Sequence, residues 1–156
     1  MLRARWSEID FKEKIWTVPA SRMKSGREHR VPLSDAALAV LQQMNSLRQN
    51  DRIFPGDRRE TLSDMALLML LKRMNRSDLT AHGFRSTFRD WAAERTNFPS
   101  EVVEMALAHA VADKVEAAYR RGDRFEKRRK LMDAWASYCA RAEAPTEKIV
   151  PLRSIV

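Results

Sequence analysis

Two residues in one candidate helix, His82 and Arg85, have the types and spacing that suit an anion site. They are three positions apart, so on a helix their side chains share a face, with Cβ atoms about 5–6 Å apart. Thr80 is a good N-cap, which places the pair near the helix N-terminus, where negative charge is favoured. The pattern predicts an oxyanion or phosphate site, although a His–Arg pair on a helix surface is more often structural.

Three further side chains could act beside such a site. His109 ends a predicted helix and is as consistent with a helix cap as with a ligand or an acid. Tyr119 lies between two alanines and two arginines, whose positive charge would favour the phenolate form. It is equally consistent with a tyrosine whose ring packs on the core. Lys24 lies in a basic loop, where a lysine is usually solvated.

The charge of the chain points to a polyanionic partner. Its 29 Lys and Arg against 21 Asp and Glu give a formal net charge of +8, which favours nucleic acid or an anionic membrane surface. The excess is concentrated in residues 22–30, with four basic residues and one acidic, and in residues 120–130, with seven and two. Each stretch alone could be a solvated face, but two in one small domain favour phosphate contact.

Composition excludes several other classes of protein. A length of 156 residues with 44% hydrophobic residues suits one folded domain. The chain has no apolar run of about 18 residues, and its start lacks the apolar segment of a signal peptide. The single Cys139 predicts a reducing, cytoplasmic location. Three separated histidines and four glycines without a glycine-rich loop predict no structural zinc, nucleotide or other cofactor site.

The candidate residues must be positioned by a small sheet followed by helices, which predicts an α+β fold with a mostly helical body. Strands are predicted at residues 6–10, 15–19 and 29–33, with a basic hairpin loop at 20–28. Helices are predicted from Ser34 or Asp35 to 47, from Thr61 or Ser63 to 74, from Thr80 to 96, from Ser100 to 107, from 113 to 119, and from 124 to 141.

The helix that begins after Thr80 has a predicted inner face. Phe84, Phe88, Trp91 and Ala92 form one apolar stripe, which we expect to pack on the core. We expect the pair of His82 and Arg85 on the face opposite this stripe.

Taken in order along the chain, these features resemble the tyrosine recombinases, in particular the integrases of phages and genomic islands. The order is a hairpin lysine at position 24, His-x-x-Arg at 82–85, a histidine at 109 and a tyrosine at 119. The resemblance extends to Arg-Trp-Ser-Glu-Ile-Asp at 5–10, Arg-Met-Lys at 22–24, Val-Pro-Leu-Ser at 31–34, Thr-Ala-His-Gly-Phe-Arg-Ser-Thr-Phe-Arg-Asp-Trp-Ala at 80–92, Leu-Ala-His at 107–109 and Ala-Ala-Tyr-Arg-Arg at 117–121. It covers residues 4 to 141, and the ordered set is far more specific than any single piece.

The resemblance implies a role for each candidate residue. Tyr119 would attack a DNA phosphodiester, form a 3′-phosphotyrosyl link and free a 5′-hydroxyl, so that strands are rejoined without ATP. Arg85 would hold the non-bridging oxygens, and Lys24 would protonate the leaving 5′-oxygen. His82 would assist proton transfer around the nucleophile, and His109 would donate a hydrogen bond to the phosphate. The family uses no metal.

The resemblance also implies partners: double-stranded DNA attachment sites and other recombinase protomers on the DNA, with no membrane. The arginines of the two basic stretches would contact DNA phosphates. These candidate DNA-binding residues are Arg22, Arg27, Arg30, Arg120 and Arg121.

One part of the family pattern has no match in this sequence. The first catalytic arginine of the family lies in a Thr-Gly-x-Arg segment, which would fall upstream of Met1. Residues 1–141 are therefore expected to be a partial catalytic domain, with a sheet at 6–33, a helical body at 34–141 and a tail at 142–156. Because loss of one transition-state donor lowers the rate by about 10²–10³, we expect the isolated chain to be nearly inactive.

Three hypotheses remain open at this point: a fragment of a recombinase, a non-catalytic DNA-binding remnant of a prophage integrase, and a helical domain whose charges are merely solvated. The apolar tail could dock on a neighbouring protomer or pack on its own domain.

Overall fold

The computed structural model describes residues 2–56, 61–109 and 123–141. Within these residues, three short strands precede five helices, so the predicted α+β fold is confirmed. The strands are β1 (Ile9–Asp10), β2 (Ile15–Val18) and β3 (His29–Pro32). The helices are α1 (Asp35–Ser46), α2 (Ala66–Arg73), α3 (Ala81–Arg95), α4 (Ser100–Ala106) and α5 (Phe125–Cys139).

The sheet is antiparallel with the strand order β1–β2–β3. Trp16 in the central strand pairs with Ile9 on one side and Val31 on the other. The predicted strand at 6–10 is wrong in its first half, because residues 6–8 form a 3₁₀ turn. That turn buries the Trp6 ring in a core cluster with α1, which an extended strand in the plane of the sheet would not do.

The first core lies between the sheet and α1. The Ser34 hydroxyl caps α1 by accepting a hydrogen bond of 3.3 Å from the amide of Ala37, as the sequence predicted. Leu38 and Leu41 follow at helical spacing and are buried beside Ile53. Leu38 and Leu41, at the predicted helical spacing, therefore pack α1 against the sheet.

Helix α2 begins later than predicted. Thr61 cannot cap it, because the backbone of Thr61 pairs with Pro55 in an isolated bridge. Ser63 instead accepts a hydrogen bond of 3.0 Å from the amide of Ala66 through its carbonyl, in the turn that leads into the helix. The prediction of a helix from Thr61 or Ser63 is thus wrong at its start.

The second core lies between α3, α4 and α5. Phe88, Trp91 and Ala92 are buried there, as predicted, and Trp135 of α5 packs edge-on against Phe88 at a centroid distance of 5.3 Å. The prediction for Phe84 is wrong, since this side chain is 56% exposed. Phe84 lies in the first turn of α3, and the buried cluster begins only one turn later at Phe88.

A buried guanidinium connects α5 to the sheet. Arg128 is 2% exposed, and its Nη1 donates to the carbonyl of Arg30 in β3 at 2.5 Å. Its Nε and Nη2 donate to the carbonyl and the carboxylate of Asp123, each at 2.8 Å. The sheet and the helical body are therefore joined by a polar contact as well as by apolar packing.

Helix α4 ends in a left-handed cap. Ala108 has φ +52°, its amide donates to the carbonyl of Met105 at 3.1 Å, and the amide of His109 donates to the carbonyl of Glu104 at 2.9 Å. This pair of hydrogen bonds is a Schellman motif, in which glycine is the usual residue at the left-handed position. The cap fixes the direction in which the chain leaves α4 at His109.

Two predicted segments, the helix at 113–119 and the tail at 142–156, lie outside the described residues. In the part of the chain that is described, no helix is long and apolar enough to cross a bilayer.

We expect Ala108→Gly to raise the free energy of unfolding by about 0.5 kcal/mol. Relief of the left-handed strain, about 1–2 kcal/mol, exceeds the roughly 0.5–1 kcal/mol lost to a more flexible unfolded chain. Urea unfolding measures the change. The matched control is Ala39→Gly in the exposed middle of α1, which should lower the free energy of unfolding by about 1 kcal/mol. Destabilisation by both substitutions would contradict the strain at Ala108.

Candidate functional site

The carboxyl end of α4 brings two predicted site residues together. The guanidinium of Arg85 in α3 donates from Nη2 to the carbonyl of Leu107, and His109 follows Leu107 by two residues. The sequence placed Arg85 on the face opposite the apolar stripe, and this is wrong. Arg85 is half-buried and borders the stripe, because its guanidinium caps a carbonyl of the neighbouring helix.

The imidazole of His109 is held by a carboxylate on its own helix. Its Nδ1 contacts Oε2 of Glu104, while Oε1 of Glu104 contacts Nε of Arg89 in α3 at 2.9 Å. The hydrogen bond from His109 is the largest cause that lowers the pKa of Glu104, so this carboxylate is ionised at neutral pH. His109 is thus the first residue after the helix cap and also part of a charged cluster.

A further histidine, which the sequence analysis did not single out, lies at the carboxyl end of α4. His29 in β3 is half-buried and lies against the backbone of Ala106, next to the carbonyl that Arg85 caps. Burial, and then the charge of Arg128, lower the pKa of His29 below its ordinary value of 6.5. A neutral His29 ring therefore links the sheet to the end of α4.

Lys24 lies in the exposed loop between β2 and β3, five residues before His29. The loop is anchored by Arg22, whose guanidinium contacts the Glu8 carboxylate and donates to the carbonyl of Arg3 at 2.6 Å. Arg22 was predicted to contact DNA, but in this structure its side chain is engaged within the protein. Because Arg22 lies two residues before Lys24, its contacts with Glu8 and Arg3 anchor the loop that carries the lysine.

The other predicted DNA-binding arginines have different surroundings. Arg27 is exposed in the loop beside Lys24. The Arg30 guanidinium lies 4.3 Å from the Phe125 ring centroid and 3.8 Å from the Asp123 carboxylate. Arg120 and Arg121, with the predicted nucleophile Tyr119, lie outside the described residues.

His82 is exposed in the first turn of α3. The Thr80 hydroxyl accepts a hydrogen bond of 3.0 Å from the amide of Gly83, which confirms the predicted N-cap. His82 and Arg85 thus share the N-terminal end of α3, where the helix dipole adds positive potential. Arg85 uses one N–H group on Leu107, and a guanidinium has five.

Arg85 and His109 lie at the carboxyl end of α4, and His82 lies one turn before Arg85 on α3, so groups of the types that bind anions are present in this region. Arg85 supplies a planar donor array, and His109 and His82 supply ring nitrogens. Within residues 2–56, 61–109 and 123–141, no group of three or more His, Cys, Asp or Glu side chains is arranged to hold a metal ion.

Three residues of this site were not singled out from the sequence. The sequence could have indicated Glu104, because a carboxylate near the end of a helix can reach a histidine five residues later, just beyond the cap. Arg89 lies four residues after Arg85 on α3 and therefore on the same face. His29 had no local signal, because the backbone that it contacts at Ala106 is remote in sequence.

Comparison with known proteins agrees with these features. Residues 1–124 match the phage integrase family. The prophage integrase IntA of Escherichia coli K12 is 38% identical over 156 residues, which cover 97% of this chain and 38% of that protein. The integrase of Shigella phage Sf6 is 31% identical, over 86% of this chain and 36% of that protein. The integrase of Enterobacteria phage P4 is also 31% identical, over 86% and 35%.

No solved structure matches the chain significantly. The chain spans only 35% to 38% of the length of these three curated relatives. The family match nevertheless covers most of the sequence and includes every candidate site residue from Lys24 to Tyr119. The chain therefore belongs to the phage integrase family.

Proposed function

We propose that this chain is part of the catalytic domain of a tyrosine-type site-specific DNA recombinase. The observation that carries the proposal is the meeting of Arg85 and His109 at the carboxyl end of α4, beside the N-terminus of α3. Family membership supports DNA as the substrate, and a reaction on chromosomal or phage DNA would take place in the cytoplasm. Residues 1–141 would form this partial domain, and residues 142–156 its tail.

The reaction would be a balanced phosphoryl transfer without an external energy source. The Tyr119 oxygen attacks the phosphorus, and the phosphorus–5′-oxygen bond breaks. Lys24 gives a proton to the leaving 5′-oxygen, while His82 assists removal of the tyrosine proton. Attack by a 5′-hydroxyl of another strand reverses these steps and releases Tyr119.

Arg85 would stabilise the charge that develops on the non-bridging oxygens. Its guanidinium is oriented by the carbonyl of Leu107, so little reorganisation is needed when the phosphate arrives. His109 would donate a second hydrogen bond to the phosphate. Preorganised donors of this type each contribute about 10²–10³ to a rate.

The alternative is a DNA-binding remnant that keeps the basic surface without the reaction. Exposed Arg27 beside Lys24 is compatible with either function. Only formation of a covalent intermediate separates the two.

We expect the chain to form an SDS-resistant adduct slowly, about 10²–10³ below the rate of a complete catalytic domain, with a pool of nicked duplexes of random sequence. The adduct should still accumulate over a long reaction, because a nick lets the freed strand diffuse away. Tyr119→Phe should abolish the adduct. Tyr138→Phe is the matched control: it alters the other tyrosine of the chain, whose ring stacks on Trp135, and should keep the adduct. Salt-sensitive DNA binding without any adduct would favour the remnant instead.

DNA affinity should fall steeply with salt, with a log–log slope of about −0.9 per phosphate neutralised. Arg27→Gln should reduce this slope by about one phosphate, because its exposed side chain is free to reach DNA. Arg22→Gln should lower the melting temperature more than Arg27→Gln, since it removes the anchor to Glu8. Titration of a labelled duplex at several salt concentrations measures the slopes. A slope near zero would contradict phosphate contact.

A further inference from the structure

The Glu104 carboxylate has both of its oxygens engaged. Oε2 contacts Nδ1 of His109, and Oε1 contacts Nε of Arg89 at 2.9 Å. The carboxylate is one-third exposed, so its orientation is set by these two partners from opposite sides. Arg89 lies on α3 with a largely exposed side chain, and the backbone of His109 is held by the cap that ends α4.

This arrangement decides which nitrogen of His109 carries the proton. An ionised carboxylate only accepts hydrogen bonds, and the Nε of Arg89 only donates. The ring must therefore donate from Nδ1, which leaves Nε2 as the nitrogen directed away from Glu104. A carboxylate in this position also stabilises the ring when it takes up a second proton.

We propose that Glu104 and Arg89 are positioning residues that hold His109 in the Nδ1–H form and make its Nε2 the nitrogen offered to the reacting phosphate. The inference rests on the proposed function for the role of Nε2, but the tautomer itself does not depend on catalysis. With Nδ1 occupied, Nε2 donates to a phosphate oxygen only when the ring is positively charged. Donation from His109 to the phosphate would therefore be donation from a positively charged ring.

The charged and titratable groups near this pair come from two elements, α3 and β3. Arg89 contacts Glu104 directly, and the Arg85 guanidinium on the same helix lies at the carbonyl of Leu107, two residues before His109. His29 of β3 lies against the backbone of Ala106, and burial lowers its pKa, so this ring adds no charge at neutral pH. The hydrogen bond from His109 lowers the pKa of Glu104, which keeps the acceptor ionised.

Glu104→Gln tests the proposal with a specific expected result. The Nε of Arg89 can only donate, so we expect the amide oxygen of the new side chain to face Arg89 and its NH₂ group to face His109. The Nδ1 atom must then accept, and the neutral ring switches to the Nε2–H tautomer. Long-range ¹H–¹⁵N correlation spectra at about pH 8.5, where an ordinary histidine is neutral, distinguish the two tautomers.

The experiment uses the full chain, which has three histidines, so the His109 signals are assigned by separate His29→Gln and His82→Gln samples. Glu94→Gln, the same change at an exposed site on α3, should leave the tautomer unchanged. A double variant, Glu104→Gln with Arg89→Met, frees the amide to turn and should give a mixture. Circular dichroism confirms that each variant is folded. An Nε2–H tautomer in the parent chain, or no switch in Glu104→Gln, would overturn the proposal.

Adduct formation gives a second readout that a merely structural role would not change. In the parent chain, donation from Nε2 to the phosphate requires a positively charged ring, so the rate should depend on pH through His109 as well as through Lys24. In Glu104→Gln the neutral ring already donates from Nε2, so only the dependence due to Lys24 should remain, and the maximal rate should be about tenfold lower because the donor is uncharged. A tautomer switch without any adduct in the parent chain would leave the positioning role intact and reject the proposed function.

Discussion

The buried guanidinium of Arg128 is the contact on which the geometry of the site depends. Taking a charge out of water costs several kcal/mol, and here the cost is offset by hydrogen bonds to Arg30 in the sheet and to Asp123 before α5. Because desolvation opposes the charged form, burial lowers the pKa of Arg128, although a guanidinium remains protonated at neutral pH. The contact holds β3, and with it the loop that carries Lys24, against the helical body.

Helix α4 supplies the other half of the geometry through the acceptors that every helix leaves at its carboxyl end. Local amides satisfy two of its carbonyls in the Schellman motif, while Arg85 reaches the carbonyl of Leu107 from α3 and His29 of β3 lies against the backbone of Ala106. A short helix of seven residues thus becomes the point where three elements meet. Arg85 caps this helix and, under the proposed function, would also contact the phosphate, so this side chain would serve both stability and catalysis.

Local patterns in the sequence were sufficient for most of the fold. Ser34 and Thr80 predicted helix starts correctly because a cap is made with residues three positions away. The prediction that Thr61 caps a helix was wrong because its backbone pairs with Pro55 in an isolated bridge. The prediction that Phe84 is buried was wrong because the core between α3, α4 and α5 begins only at Phe88. Within the site, the order of chemical residues was readable from the sequence. The pairing of Glu104 with Arg89 was not, because it joins two helices.

The positive charge of the chain divides into two populations with different uses. Arg128 and Arg22 join elements of the fold through hydrogen bonds to backbone carbonyls. The number of basic residues in a stretch of sequence therefore does not equal the number of phosphate contacts. Arg85 is oriented by a neutral backbone carbonyl, and His109 by a carboxylate that it shares with Arg89. The carbonyl of Leu107 holds the Arg85 guanidinium in place without neutralising its charge. Preorganisation of this kind is the condition under which donors stabilise a transition state more than they stabilise the bound substrate.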